Sequence, residues 1–349
     1  MPAFRKSGEG RGLTMEILSR VHERNLVAWA KDKPRVVVLS ADLTGSTEIA
    51  EFKRVYPDRF FSMGVAEQNM VSFAAGLARG GYIPLIHTFS VFIYRQALNQ
   101  IVSSVAYPNL PVKFFGFLPG ITTPGGATHQ AIEDVAVMRA VPNMTVFEPG
   151  DATEVETILD PVMAAPGPVY VRMPRGEIPR LFPADEGFAA GRVRALSEGG
   201  DITLVTSGIC TEEAMRAAAA LSAAGLSLCH LHVSTHKPIG GRLLLDALAA
   251  PRHGVITMEN HTVIGGLGSE IAELMAEHGI RGPLRRLGIG DTFAHGASRA
   301  YLMREYGLDA LALIGAAEAL VGRKLGITGA ALAQVRIEAV HSMAKAEAL

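Results

Sequence analysis

Glu67 is the only acid in the segment Gly64–Gly76 (GVAEQNMVSFAAG), at the start of a stretch whose Met70, Phe73, Ala74 and Leu77 predict a buried helix over Ala66–Ala78. A carboxylate in a first helical turn is favoured by the macrodipole, and taken alone this accounts for it. Glu67 gains meaning from three companions. Asp42 and Ser46 lie in ADLTGS, Phe89 and Phe92 lie in HTFSVF with Arg95 just beyond, and His129 lies in GATHQ. Each has an ordinary reading: two aromatics one turn apart are common core residues, a loop histidine is commonly solvated, and Arg175 in VRMPRGEIP reads as a linker charge. What joins them is where the chain puts them.

The elements that must do this placing alternate along the chain. Arg35–Leu39, Tyr82–His87, Val112–Gly116, Met144–Phe147 and Val169–Arg172 are β-branched, strand-like runs separated by helix-length segments such as Ala66–Ala78 and Val91–Ala106. Strands spaced by helices need crossover connections, which predicts a mainly parallel sheet flanked by helices. Loops following parallel strands open on one sheet edge, where ligands bind. Asp42, Phe89 and His129 each follow a strand, so all three should face one crevice.

Between Pro174 and Asp201 the texture changes to scattered prolines and charges, which reads as an interdomain linker. Alternation then resumes, with strands at Ile202–Ser207, Leu226–Leu231, Val255–Glu259 and Leu284–Leu287. Helices are expected at Glu212–Ala224, Leu243–Ala250, Ser269–His278 and Ser298–Glu305. The fold class is α/β in two consecutive domains, with a first domain over 12–176, a linker over 177–200, a second domain over 201–325 and a helical tail over 326–349. The opening MPAFRKSGEGRG reads as a loose arm.

Composition excludes several classes. Of 349 residues, 48% are hydrophobic and 19% charged, which suits two buried cores. The formal net charge is -1 and no Lys/Arg stripe exists, so nothing offers a phosphate backbone its counter-charge. Apolar runs are too short to span a bilayer. Two cysteines, Cys210 and Cys229, in apolar strand-like settings read as buried thiols, and with the opening segment they point to the cytoplasm. No His/Cys/Asp cluster has metal-ligand spacing.

The segments GVAEQNMVSFAAGLA, HTFSVFIYRQALNQIVSSVAYPNLPVK and GATHQAIEDVAVMRAVPNMTVFEP, in this order, closely resemble the pyrimidine-binding domain of transketolases. HKPIGG and ENHTVIGGLGSEI resemble their C-terminal domain, and the likeness runs from about Gly12 to Gly322. The resemblance implies a thiamine-diphosphate-dependent transferase moving a two-carbon ketol unit from a ketose to an aldose. It makes Glu67 the acid that hydrogen-bonds N1′ of the aminopyrimidine, where protonation lets the ring's amine take a proton from the thiazolium. It makes Phe89 and Phe92 the aromatic cushion around that ring, with Arg95 supporting the pocket. Asp42 is implied to reach the cofactor, Ser46 the substrate, His129 the donor sugar near the reacting carbons, and Arg175 a substrate phosphate.

Departures from the family pattern matter as much. The aspartate four residues before the family's THQ histidine is replaced by Gly125, a phosphate-binding histidine by Phe117-Leu118, and a first-helix arginine by Met15. The expected substrate is therefore an atypical ketose: branched, dephosphorylated or carrying another anion. The Gly-Asp-Gly motif that holds the cofactor's diphosphate through Mg²⁺ is absent from the sequence. The resemblance then implies a split enzyme in which a partner subunit supplies the diphosphate-binding domain and Mg²⁺, in an α2β2 assembly around a dimer of these chains. Two other readings stay open here: the β subunit of a 2-oxo-acid dehydrogenase first component, and a non-catalytic regulatory relative.

Overall fold

The computed structural model describes residues 13–334 and 337–341. The expected N-terminal arm lies outside the described residues, as does the end of the tail. In chain order the strands are β1 (Leu13–Ser19), β2 (Val36–Ser40), β3 (Phe60–Ser62), β4 (Ile83–Phe89), β5 (Lys113–Phe117), β6 (Thr145–Phe147) and β7 (Val169–Met173), then β8 (Glu177–Pro179), β9 (Val193–Ser197), β10 (Ile202–Thr206) and β11 (Leu228–Val233), and last β12 (Thr235–Lys237), β13 (Gly254–Thr262), β14 (Leu284–Ile289) and β15 (Ile337–His341). The helices of the first half are α1 (Val21–Trp29), α2 (Ala50–Val55), α3 (Glu67–Arg79), α4 (Ser90–Gln100), α5 (Asp134–Ala140), α6 (Ala152–Thr157) and α7 (Leu159–Ala164). Those of the second are α8 (Cys210–Ala223), α9 (Arg242–Ala249), α10 (Leu267–Glu277), α11 (Arg299–Glu305), α12 (Ala310–Val321) and α13 (Gly329–Gln334).

The first half forms a seven-stranded sheet in the order β12-β6-β7-β5-β4-β2-β3. All its strands run parallel except β12, a short edge strand lent by the second half. Every residue of β2, β5 and β7 is buried, as parallel strands covered on both faces require. The second half is a five-stranded sheet, β14-β13-β10-β11-β9, parallel apart from β9. The α/β class with two mainly parallel sheets is thus as the sequence predicts.

Several local expectations need correction. The stretch 177–200 is not bare linker: β8 pairs antiparallel with β1, and β9 adds to the second sheet. The tail is not helical throughout its described residues: α13 is followed by β15, which runs parallel to β1. Met15 lies in β1 and not in a first helix; its side chain is outside the described residues. Cys210 begins α8 and is buried, while Cys229 is half-buried in β11. On α3 the buried face is Met70, Val71, Ala74, Ala75 and Ala78, and Phe73 is 40% exposed against Phe61. Small residues on that face let α3 pack closely along α4 and β4. No helix of the described residues is long and apolar enough to cross a membrane.

Candidate functional site

The predicted site residues all stand at the edge of the first sheet where its parallel strands end. Asp42 and Ser46 follow β2, Glu67 follows β3 as the first residue of α3, and Phe89 ends β4 with Phe92 in the first turn of α4. His129 lies in the long loop after β5, and Arg175 follows β7. Backbone geometry is bent sharply here: Asp42, Glu48 and Leu118 adopt left-handed φ angles of 63°, 54° and 55°. Non-glycine residues hold that conformation only where packing enforces it, which is characteristic of sites.

Three of these side chains meet. Phe89 and Phe92 stack with centroids 5.6 Å apart at 26°, and His129 stands edge-on to both, 6.2 Å from Phe89 and 5.5 Å from Phe92. The His129 Nδ1 is 2.9 Å from the Thr128 hydroxyl. Glu67 is 7% exposed and makes no hydrogen bond or ion pair among the described residues. A carboxylate on a largely buried residue, left without a protein partner, is free to bond a ligand. Asp42 is exposed and Ser46 half-buried. Neither they nor Arg175 are hydrogen-bonded to the aromatic cluster among the described residues. The Arg175 Nη1 is buried without a hydrogen-bond partner, beside a cavity of ≈ 70 Å³ lined also by Leu118, Thr122 and Arg299. Close to Arg175, Glu48 accepts from the Gly176 N–H at 2.9 Å, while burial raises its pKa against the pull of Gly176 and Arg175.

Arg95 is committed elsewhere. Its guanidinium bonds the Ala127 carbonyl at 2.7 Å, the Gln130 carbonyl at 3.4 Å and Glu133 at 2.6 Å, so it straps down the loop that carries His129. The geometry also explains Gly125. A Cβ built there would lie 2.8 Å from the His129 Cβ and 2.9 Å from its Cγ. A side chain at this position would press on His129, so with this loop Gly125 leaves His129 room to sit against the aromatic pair. Leu118 is 5% exposed and offers only an apolar surface.

Sequence reasoning missed two buried groups. His87, two residues before Phe89 on the same face of β4, lies with its Nε2 2.9 Å from that of His22 and stacks on Phe115 at 4.8 Å. Burial pushes His22 down to about 3 and lowers His87 as well, so both rings are neutral and one donates to the other. The second is an ionic chain joining the two halves. Arg172 of β7 grips Asp134 in a fork at 2.8 and 3.0 Å and also bonds Glu148. The other Glu148 oxygen lies 2.8 Å from His236 Nε2, and His236 Nδ1 lies 3.0 Å from Glu270. Burial works against a charge on His236, but Glu270 and Glu148 on either side outweigh it and push its pKa up to about 10. Only position in HKPIGG hinted at His236; its partners are far along the chain.

Residues 18–180 match the family model described as transketolase, pyrimidine binding domain, and residues 191–313 match the transketolase C-terminal domain. The chain belongs to the transketolase family. Among its relatives is the 6-deoxy-6-sulfo-D-fructose transketolase subunit SqwH of a Clostridium species, 39% identical over 300 residues, covering 86% of this chain and 92% of that one. A putative transketolase C-terminal section from Methanocaldococcus jannaschii is 40% identical over 287 residues, 81% of this chain and 90% of that one. The chain also superposes on a split gene transketolase, solved as an inactive beta4 tetramer, with TM-score 0.79 and 39% identity over 87% of this chain and 98% of that one. This transketolase-family chain therefore corresponds to the pyrimidine-binding and C-terminal domains of a split enzyme. Its free Glu67 carboxylate and its Phe89–Phe92 stack fit the aminopyrimidine end of thiamine diphosphate. No group of three or more His, Cys, Asp or Glu among the described residues could hold a metal.

Proposed function

We propose that this chain is one subunit of a thiamine-diphosphate-dependent transketolase that moves a two-carbon ketol unit from an atypical ketose to an aldose, and that a partner subunit carrying the diphosphate-binding domain and Mg²⁺ completes its site. The observation that carries this is the unpartnered, nearly buried Glu67 carboxylate on the same sheet edge as Phe89, Phe92 and His129. When bound, the cofactor supplies the electron sink that lets the carbon–carbon bond beside a ketone break. Glu67 holds a proton at the pyrimidine nitrogen, Phe89 and Phe92 wall the ring from water, and Asp42 contacts the cofactor. Ser46 and His129 bind the donor's hydroxyls. Arg95 keeps the His129 loop in place.

Arg175, with a guanidinium nitrogen lacking a protein partner, takes an anionic group at the donor's far end. Without the acid at 125 and the histidine at 118, an ordinary pentose phosphate loses two of its usual holds. Two relatives fit this: the subunit named for 6-deoxy-6-sulfo-D-fructose, and an apulose-4-phosphate transketolase subunit of Actinobacillus succinogenes, 33% identical over 301 residues. Retention of Glu67 argues against a regulatory relative, since a dead subunit has no physical need for that acid. The similarity to transketolase subunits favours this branch over a 2-oxo-acid dehydrogenase. Exposed Val65, Phe73, Val102 and Tyr107, on and beside α3, supply the apolar surface for a dimer of these chains, hence α2β2. A donor screen on the reconstituted enzyme tests the substrate class. A sulfonated or branched ketose should exceed xylulose 5-phosphate in kcat/KM by about tenfold or more, since each charged hydrogen bond lost costs about 1.5–3 kcal/mol. Xylulose 5-phosphate with ribose 5-phosphate as the best pair would contradict it.

A further inference from the structure

The loop that presents His129 is held by the other half of the molecule. It leaves β5 through Leu118 and turns back through Gly120, whose φ is 58°. There it meets Asn260, a residue 1% exposed near the C-terminal end of β13 in the second sheet. The Asn260 Oδ1 accepts from the Ile121 N–H at 2.9 Å and its Nδ2 donates to the Pro119 carbonyl at 3.0 Å. These two bonds flank Gly120, and the fit is close: a Cβ on Gly120 would lie 2.1 Å from Asn260 Oδ1. The Asn260 carbonyl is itself anchored by Arg172 Nη2 at 3.1 Å.

Further ties follow along the same loop. Gln130, next to His129, donates from Nε2 to the Thr123 carbonyl at 3.1 Å and to the His295 carbonyl at 3.3 Å, and His295 belongs to the segment between β14 and α11. The Thr262 N–H donates to the Ile132 carbonyl at 2.7 Å. Gly296 lies so near the loop that a Cβ would sit 2.6 Å from the Pro124 carbonyl. The loop closes on itself through the Gly120 N–H and the Ala131 carbonyl at 2.8 Å. Arg95 is its strap from the first half; Asn260, Thr262 and His295 hold it from the second.

We propose that Asn260 is a positioning residue for donor recognition: the C-terminal domain, which places none of the predicted substrate ligands, sets the seat of His129 by clamping the 119–132 loop. This rests on the transketolase reading above and deepens it. Asn260 lies just past the last β13 residue paired with β10, Met258, in the irregular stretch of the pairing with β14, so it extends from a fixed strand and its own carbonyl is free to be held by Arg172. A donor contact moved out of place loses binding that it gave the ground and transition states alike, which appears in KM, so such a clamp is worth its buried polar groups.

The test pairs kinetics with amide exchange. In the chain co-expressed with a subunit carrying the diphosphate-binding domain, Asn260→Ala should raise the donor KM about tenfold or more, with kcat and thiamine diphosphate affinity changed less than about threefold. In the same variant, amides of the 118–130 stretch should exchange at least about tenfold faster while those of β4 do not change. Gly120→Ala alone should be as damaging, and in the Asn260→Ala background it should add only the strain of an alanine at a left-handed φ, because the colliding amide is gone. Should Asn260→Ala fail to fold, Gln130→Leu, which removes only the bridge between Thr123 and His295, should show the same KM rise to a smaller degree. A donor KM within about twofold of wild type, or cofactor affinity falling in parallel with KM, would overturn the positioning role. Unchanged exchange in the loop would overturn the clamp itself. A wild-type assembly that binds no thiamine diphosphate would overturn the transketolase reading, and this role with it.

Discussion

Glu67→Gln should abolish most of the turnover of the reconstituted enzyme while leaving the fold intact. A side chain that places a proton in the reaction contributes about 10²–10⁴-fold, and an amide cannot supply that proton, so kcat should fall within this range or beyond it. Folding should barely register the change. Glu67 has no protein partner to lose, and the only favourable term removed is its interaction with the α3 N-terminus, about 0.3–1 kcal/mol. Cofactor affinity should weaken modestly, since glutamine keeps one polar atom facing the ring. Turnover and thermal melts on the same preparation separate the two effects, and near-normal turnover would remove the assignment of Glu67.

The second large effect concerns stability. Arg172→Met should destabilise the chain by about 3–5 kcal/mol, because Asp134, fully buried, would lose its ionic partner and be left with only the Tyr170 hydroxyl at 2.6 Å among the described residues. Glu148 would lose one cation but keep His236. The carbonyls of Ala131 and Asn260 would lose a donor as well, which loosens the contact between the halves. In a thermal melt of the chain this corresponds to roughly 5–10 °C. Replacing Arg172 and Asp134 together by Met and Leu should cost less than Arg172→Met alone, since no unpaired charge is then buried. A single-variant melt within about 1 °C of wild type would show that the network carries no such load.

What the sequence reveals and what it hides follow from the range of the interactions. Strands β2, β4, β5, β7 and β10 are legible because parallel strands buried on both faces must be runs such as VVVLS and VYVRM. β1, β8 and β15 are not. LTMEILS has a helix former's composition and GEIP reads as a turn, and each becomes a strand only by pairing with segments far along the chain. Phe73 has the period of a core residue yet lies on the outer side of α3, a distinction one helix's spacing does not settle alone. At the site, chain order places Phe89, Phe92 and His129 on one edge, and their contact follows. The commitment of Arg95 to Glu133 and the loop carbonyls was hidden, because three partners could claim one guanidinium. So were the Asn260 clamp and the His236 bridge, where motif residues of the C-terminal half turn out to grip the first half rather than a ligand. Gly125 shows the reverse: the glycine is plain in the sequence, but its closeness to His129 appears only once the loop is folded.

Above all, this chain is held to form the pyrimidine half of a cofactor site that another subunit completes. Titration calorimetry of thiamine diphosphate with Mg²⁺ tests this most directly, run on this chain alone, on a subunit carrying the diphosphate-binding domain alone, and on the two together. Binding by the mixture should be at least about 100-fold tighter than by either chain alone, because diphosphate and pyrimidine contacts then act on one molecule. Equal affinity of this chain with and without the partner, or no binding by the mixture, would contradict it.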